Sequence, residues 1–186
     1  MATATPARAT LDDLHRVDGK AELINGRIVH FMASGYQPSR VAFEIAVGLR
    51  DYARQVGQGV AFADGMGFAV PELPSGRESF CPDAAYYVGP PPPRRMRFIQ
   101  GPPTLAVEVR SENDYGPAAE RAMAAKRADY FAAGTLVVWD VDPEAELVHV
   151  YRADAPDQPG TYARGEFAEA EPAAPGWRLA VDVIFG

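Results

Sequence analysis

The stretch Thr104-Leu-Ala-Val-Glu-Val-Arg110 decides the fold. Its residues alternate with the two-residue period of a β-strand, so Leu105, Val107 and Val109 share one face while Thr104, Ala106, Glu108 and Arg110 share the other. The apolar triplet is a core face. Leu136 to Val141, further along, is apolar almost throughout, which predicts a strand buried on both sides. Between these strands, Asp114 to Gly116 and then Pro117 open a helix that Gly134 closes. A strand, a helix and a second buried strand form the centre of a layered α/β domain.

The rest of the chain extends this layer. Glu22-Leu-Ile-Asn-Gly-Arg-Ile-Val29 reads as a hairpin, because Asn25-Gly26 supplies the positive φ angles of a tight turn. Val41, Ile45, Leu49, Tyr52 and Val56 recur at helical spacing, with Ser39 as the expected cap and Gly57 as the stop. Val60 to Val70 is expected as a strand broken by Gly65 and Gly67, and Asp83 to Val88 as a short strand. Asp142-Pro-Glu-Ala turns the chain into a strand over 146–152, and β segments follow around Tyr162 to Phe167 and Trp177 to Phe185. The expected architecture is a mixed α/β (α+β) sheet with a helix on each side, an extra N-terminal hairpin and C-terminal β segments. Residues 1–9, rich in Ala and Thr, are expected as a flexible tail on a single domain over 10–186. Gly89 to Pro93, followed by Arg94, Arg95 and Arg97, is expected as a stiff surface loop.

Composition narrows the function. A hydrophobic share of 47% with 23% charged residues suits a chain that buries a core, which sets aside collagen, disorder and coiled coil. No apolar run reaches the roughly 18 residues of a membrane span, and the N-terminus lacks the apolar stretch of a signal peptide. A single cysteine, Cys81, leaves no internal disulfide and fits a reducing cytoplasm. Three histidines and one cysteine are a poor set for zinc. The net charge of −7 argues against indiscriminate coating of nucleic acid, so phosphate contacts would come from local clusters such as Arg94, Arg95 and Arg97, or Arg40, Arg50 and Arg54. P-loop, nucleophile-elbow and dinucleotide-binding signatures are missing.

The candidate chemistry lies with a few charged residues. Glu108 and Arg110 stand together on the non-core face of their strand, either as a surface ion pair or as a carboxylate and cation flanking a metal. Asp83 opens a strand that can pair with the one carrying Glu108, which would bring two carboxylates to one Mg²⁺ or Mn²⁺ ion. Lys126 lies at the centre of a helical stripe formed by Ala119, Ala122, Met123, Tyr130 and Ala133. A lysine there must snorkel or meet carboxylates from the sheet. Glu22 is either an edge charge of the hairpin or a further acid of the cluster.

Pro82-Asp83, Pro103 to Ser111, Lys126-x-x-x-Tyr130-x-x-x-Gly134 and Val137-Val-Trp139-x-Val-Asp142-Pro143, together with the Glu22–Val29 hairpin, resemble the bacterial restriction-endonuclease family Uma2, within the PD-(D/E)XK nuclease-like superfamily. The resemblance runs from about Glu22 to Tyr151. It implies a restriction-endonuclease-like fold and a divalent-metal-dependent endonuclease that hydrolyses DNA phosphodiester bonds. Asp83 and Glu108 would bind the metal, and Lys126 or Arg110 would steady the attacking water or the phosphate. Glu22 would complete the acidic cluster. Arg110 stands where the superfamily usually places its lysine, whereas Uma2 members place a lysine on the following helix, as Lys126 does. The same resemblance allows a homodimer, or an inactive nuclease-fold module for binding or oligomerisation in which the acids merely pair with Arg110 and Lys126.

Overall fold

The computed structural model describes residues 8–186. A short helix α1 (Leu11–Leu14) precedes the hairpin β1 (Ala21–Ile24) and β2 (Arg27–His30), and the long helix α2 spans Tyr36–Val56. Next come β3 (Val60–Ala63), β4 (Phe68–Ala69), β5 (Ser79–Phe80), β6 (Ala84–Tyr87), β7 (Ile99–Gln100) and β8 (Leu105–Val109). Helix α3 (Pro117–Ala133) leads to β9 (Val137–Asp142), β10 (Leu147–Arg152) and β11 (Ala155–Tyr162). The chain ends in β12 (Phe167–Glu169), β13 (Arg178–Ala180) and α4 (Val181–Phe185).

Six strands form the main sheet, in the order β11-β10-β9-β8-β6-β3. Within this sheet only β8 and β9 pair in parallel, and α3 makes the crossover that a parallel pair requires. All six residues of β9 are buried, as its apolar sequence predicts. One face of the sheet packs Leu105, Val107 and Val109 against Val41, Ile45 and Leu49 of α2. The other packs Ala85, Ala106 and Val138 against Tyr130 of α3 and Phe80 of β5. Glu108 therefore faces a covered side of the sheet. The alternative of an ion pair on an open sheet face does not hold.

Several expectations change in detail. The long helix begins at Tyr36 with Gly35 as its cap, so Ser39 lies inside its first turn. Pro38 is tolerated there because first-turn N–H groups have no intrahelical acceptor. The segment expected as one broken strand over 60–70 divides between two sheets, β3 in the large one and β4 in a small one with β5 and β7. The C-terminal segment after Trp177 is half strand and half helix. Of the stripe expected on α3, only Tyr130 is fully buried. Most of the N-terminal tail lies outside the described residues. Its last two residues are held, Arg8 by an ion pair to Glu72 at 2.6 Å and Ala9 by donating to the Gly26 carbonyl at 2.8 Å. The Asn25-Gly26 turn has φ angles of 52° and 67°, as a two-residue hairpin needs.

Candidate active site

Pairing of β6 with β8 sets the first two acids. The register is Ala84 opposite Val107 and Ala85 opposite Ala106, so one step outward brings Asp83 opposite Glu108. Directly opposed residues in an antiparallel pair share a face. Asp83 closes the junction: its N–H donates to the Val107 carbonyl at 3.0 Å, and its Oδ2 accepts from the Val109 N–H at 2.7 Å.

Helix α3 supplies the cation. Lys126 Nζ stands 2.8 Å from Glu108 Oε2 and 3.1 Å from Glu22 Oε1. One helical turn on, the Tyr130 hydroxyl donates to Glu108 Oε1 at 2.6 Å, so both oxygens of Glu108 are occupied. Tyr130 is fixed in turn by stacking on Phe80, with ring centroids 4.1 Å apart.

The hairpin delivers Glu22. Its strand is tied to the small sheet where the Leu23 N–H donates to Ser79 Oγ at 2.8 Å. Glu22 is completely buried and accepts from the Cys81 N–H at 3.0 Å and from Arg77. Arg77 also reaches Asp129 of α3 at 2.9 Å. The reading of Glu22 as a hairpin edge charge is therefore overturned, because its side chain points inward to Lys126.

Lys20, just before the hairpin, bridges Asp83 Oδ1 at 2.6 Å and Asp64 Oδ1 at 2.7 Å. Lys20, Arg77, Asp64 and Asp129 were not singled out from the sequence. One signal was available: the chain has only two lysines, Lys20 and Lys126, and both are in this cluster. Arg110 stays out of the Glu22–Glu108–Lys126 network. Its guanidinium makes paired hydrogen bonds to Asp140 at 2.8 and 3.0 Å and another to Glu120 at 2.6 Å. Asp140 also holds Arg127 at 2.9 Å, so Arg110 belongs to a clamp between α3 and the sheet.

The electrostatics follow from burial among opposite charges. Desolvation alone would raise Glu22, but Lys126 and Arg77 hold it below the ordinary glutamate value. For Glu108 burial prevails, with Asp83 and Glu22 adding repulsion against the pull of Lys126, and its pKa is raised. Burial would lower Lys126 and Lys20, yet the surrounding carboxylates hold both above the ordinary lysine range. Burial pushes the Cys81 thiol up to about 12, which leaves little of the nucleophilic thiolate at neutral pH.

The donor set suits a hard divalent cation. Among the described residues no group of three or more His, Cys, Asp or Glu side chains stands ready for a metal. Mg²⁺ needs only one or two carboxylates, with water and substrate oxygens completing its shell. Five carboxylates (Glu22, Asp64, Asp83, Glu108 and Asp129) meet three cations (Lys20, Arg77 and Lys126), an excess of two negative charges when all are ionised. Asp64 and Asp83 line a cleft of about 160 Å³ whose other wall is Ser34, Ser39 and Phe43. Among the described residues no helix is long and apolar enough to cross a membrane.

A mixed sheet with a helix on each face, and acids gathered around a lysine at one strand junction, is the architecture of a restriction-endonuclease-like nuclease fold. The family model described as "Putative restriction endonuclease", Uma2, matches residues 9–182, and the chain belongs to that family. Its fold is similar to the crystal structure of a "putative nuclease" from Anabaena variabilis. That likeness has a TM-score of 0.72 at 19% identity and covers 95% of this chain and 97% of the other. No curated protein matches the chain.

Proposed function

We propose that the chain is a divalent-metal-dependent endonuclease that hydrolyses DNA phosphodiester bonds. The observation that carries the reading is the meeting of Glu108, Lys126 and Glu22 within 3.1 Å, at the strand junction that Asp83 closes. Asp83 and Glu108 would hold Mg²⁺ or Mn²⁺. When bound, such an ion neutralises phosphate charge and makes water a stronger nucleophile.

The chain's own residues supply the rest. Lys126, kept protonated by its acids, stabilises negative charge as it develops on the phosphate. Glu22 anchors that ammonium from the buried side, and Tyr130 fixes the rotamer of Glu108. The Val109 N–H holds one oxygen of Asp83 in place, leaving Oδ1 for other partners. Arg110, engaged by Asp140 and Glu120, acts in this reading as a positioning residue for α3. Exposed Arg94 and Arg95 on the proline-rich loop provide cations for the DNA backbone.

Purified protein incubated with linear and supercoiled DNA in Mg²⁺ or Mn²⁺ tests the reading. Nicking or cutting that disappears on chelation, and in Asp83→Ala, Glu108→Ala and Lys126→Ala, is the expected result. Cleavage that survives the first two substitutions removes the site. The absence of cleavage under all conditions favours a binding module, a second reading consistent with every acid of the cluster having a cationic partner.

A further inference from the structure

The two lysines of the chain have unequal surroundings. Their side chains are about equally exposed, 18% for Lys20 and 17% for Lys126, but Lys126 is held between Glu108 and the buried Glu22, while Lys20 bridges Asp83 to an Asp64 whose side chain is 47% exposed. Each oxygen of Asp83 has one partner. Oδ2 receives the Val109 N–H, a bond that belongs to the β6–β8 junction, and Oδ1 receives the Lys20 ammonium at 2.6 Å. Oδ2 is committed to that junction, so Oδ1, where Lys20 is already placed, is the oxygen a cation can take from Asp83 with the least disturbance. A lysine suits an exchangeable position: its ammonium is a compact point charge on a flexible stem, unlike the rigid fork of an arginine. Asp64 lies on the same cleft and offers the displaced ammonium a second partner only 2.7 Å from its present place.

We propose that Lys20 is an exchangeable counterion of Asp83: a divalent cation and the Lys20 ammonium compete for Asp83 Oδ1, and metal binding releases Lys20 into the cleft beside Asp64. The proposal rests on the reading of Asp83 as a metal ligand. It gives Lys20 two roles in sequence. Without metal it neutralises Asp83 and preserves the strand junction. With metal it becomes a cation held by Asp64 alone at the mouth of the site, where a phosphate would arrive.

Two measurements, neither of them catalytic, test it. The first is calorimetric titration of Mn²⁺ into the wild type, Lys20→Met, Lys20→Arg and Asp83→Asn. An ammonium held 2.6 Å from Asp83 Oδ1 repels an incoming metal ion, and removing a charge so close changes the affinity by roughly an order of magnitude or more. Lys20→Met should therefore bind Mn²⁺ about tenfold tighter or more, Lys20→Arg should not, and Asp83→Asn should lose binding. Unchanged or weaker binding by Lys20→Met, with binding lost in Asp83→Asn, overturns the Lys20 proposal and leaves Asp83 as a ligand. Wild-type affinity in Asp83→Asn overturns the ligand assignment and the proposal with it, as does an absence of binding in both wild type and Lys20→Met.

The second needs no variant and so does not depend on how well one folds. The chain has only two side-chain amines, so acetylation by an amine-reactive ester, read by peptide mass spectrometry, reports on each separately. Saturating Mg²⁺ should raise the acetylation rate of Lys20 several-fold over a sodium chloride control of equal ionic strength. An unchanged rate overturns the proposal.

Discussion

Replacing Arg77 by Met removes the cation that Glu22 and Asp129 share, while keeping much of the side chain's volume. The Arg77 side chain is 9% exposed and that of Glu22 1%, so water can replace little of what is lost. Removing one partner of a buried ion pair costs about 3–5 kcal/mol. Glu22 retains Lys126 at 3.1 Å and the Cys81 N–H at 3.0 Å, which places Arg77→Met at the lower end, about 3 kcal/mol. In a chain of this length that lowers the melting temperature by about 6–12 °C. The pH dependence gives a sharper signature. The folded pKa of Glu22 is held below its ordinary value of 4.5, so its stabilising contribution is present above that value and lost as pH falls through the folded pKa. Without Arg77 the folded pKa rises, the loss begins at higher pH, and the gap between wild type and variant narrows in acid. Thermal melts followed by far-UV circular dichroism between pH 3 and pH 8 measure both effects. A loss under about 1 kcal/mol at neutral pH, or a gap that stays constant into acid, would refute the buried Glu22–Arg77 pair.

Three further predictions concern the surroundings of the site. Tyr130→Phe removes the hydroxyl donor to Glu108 and should cost about 1.5–3 kcal/mol, as for hydrogen bonds to charged groups. The folded pKa of Glu108 is raised, so its stabilising contribution is present at acid pH and lost as pH rises through that pKa; the variant should therefore be most destabilised at neutral pH, as urea titrations will show. Asp140→Ala leaves Arg110 and Arg127 without their common acid and should cost about 3–5 kcal/mol by the same assay. Cys81, buried and with its thiol pushed up to about 12, should resist Ellman's reagent at pH 8 until the protein is unfolded; rapid reaction of the native protein would contradict its burial.

Local chemistry in the sequence is enough to read the elements around the site. Asn25-Gly26 specifies the hairpin turn, the alternation through Glu108 specifies its strand, and Pro117 with Gly134 brackets the helix of Lys126. Lys126 on an inward stripe implies acidic partners, and it has them in Glu22 and Glu108. The partners of Asp83 and Glu22 are harder to read because they come from distant loops. Lys20 is 63 positions from Asp83, and Arg77 is 55 from Glu22, distances over which no helical or strand period carries information. Arg110 illustrates the opposite error. Its two-residue spacing from Glu108 suggests a shared pocket, yet β9 runs alongside and presents Asp140 opposite Glu108, and Arg110 binds that neighbour instead. Strand β11, which contains Pro156 and Pro159, is not among the elements expected from the sequence. It lies at the edge of the sheet, where proline is tolerated because one side makes no ladder bonds.

Whether Asp83 and Glu108 share one metal ion can be read from a crystal of the protein soaked in Mn²⁺ and measured at a wavelength where manganese scatters anomalously. One strong peak is expected at roughly 2.2 Å from carboxylate oxygens of both Asp83 and Glu108, with the Lys20 ammonium displaced from Asp83. A peak bound elsewhere, or no peak at millimolar Mn²⁺ with Lys20 still on Asp83, would contradict it.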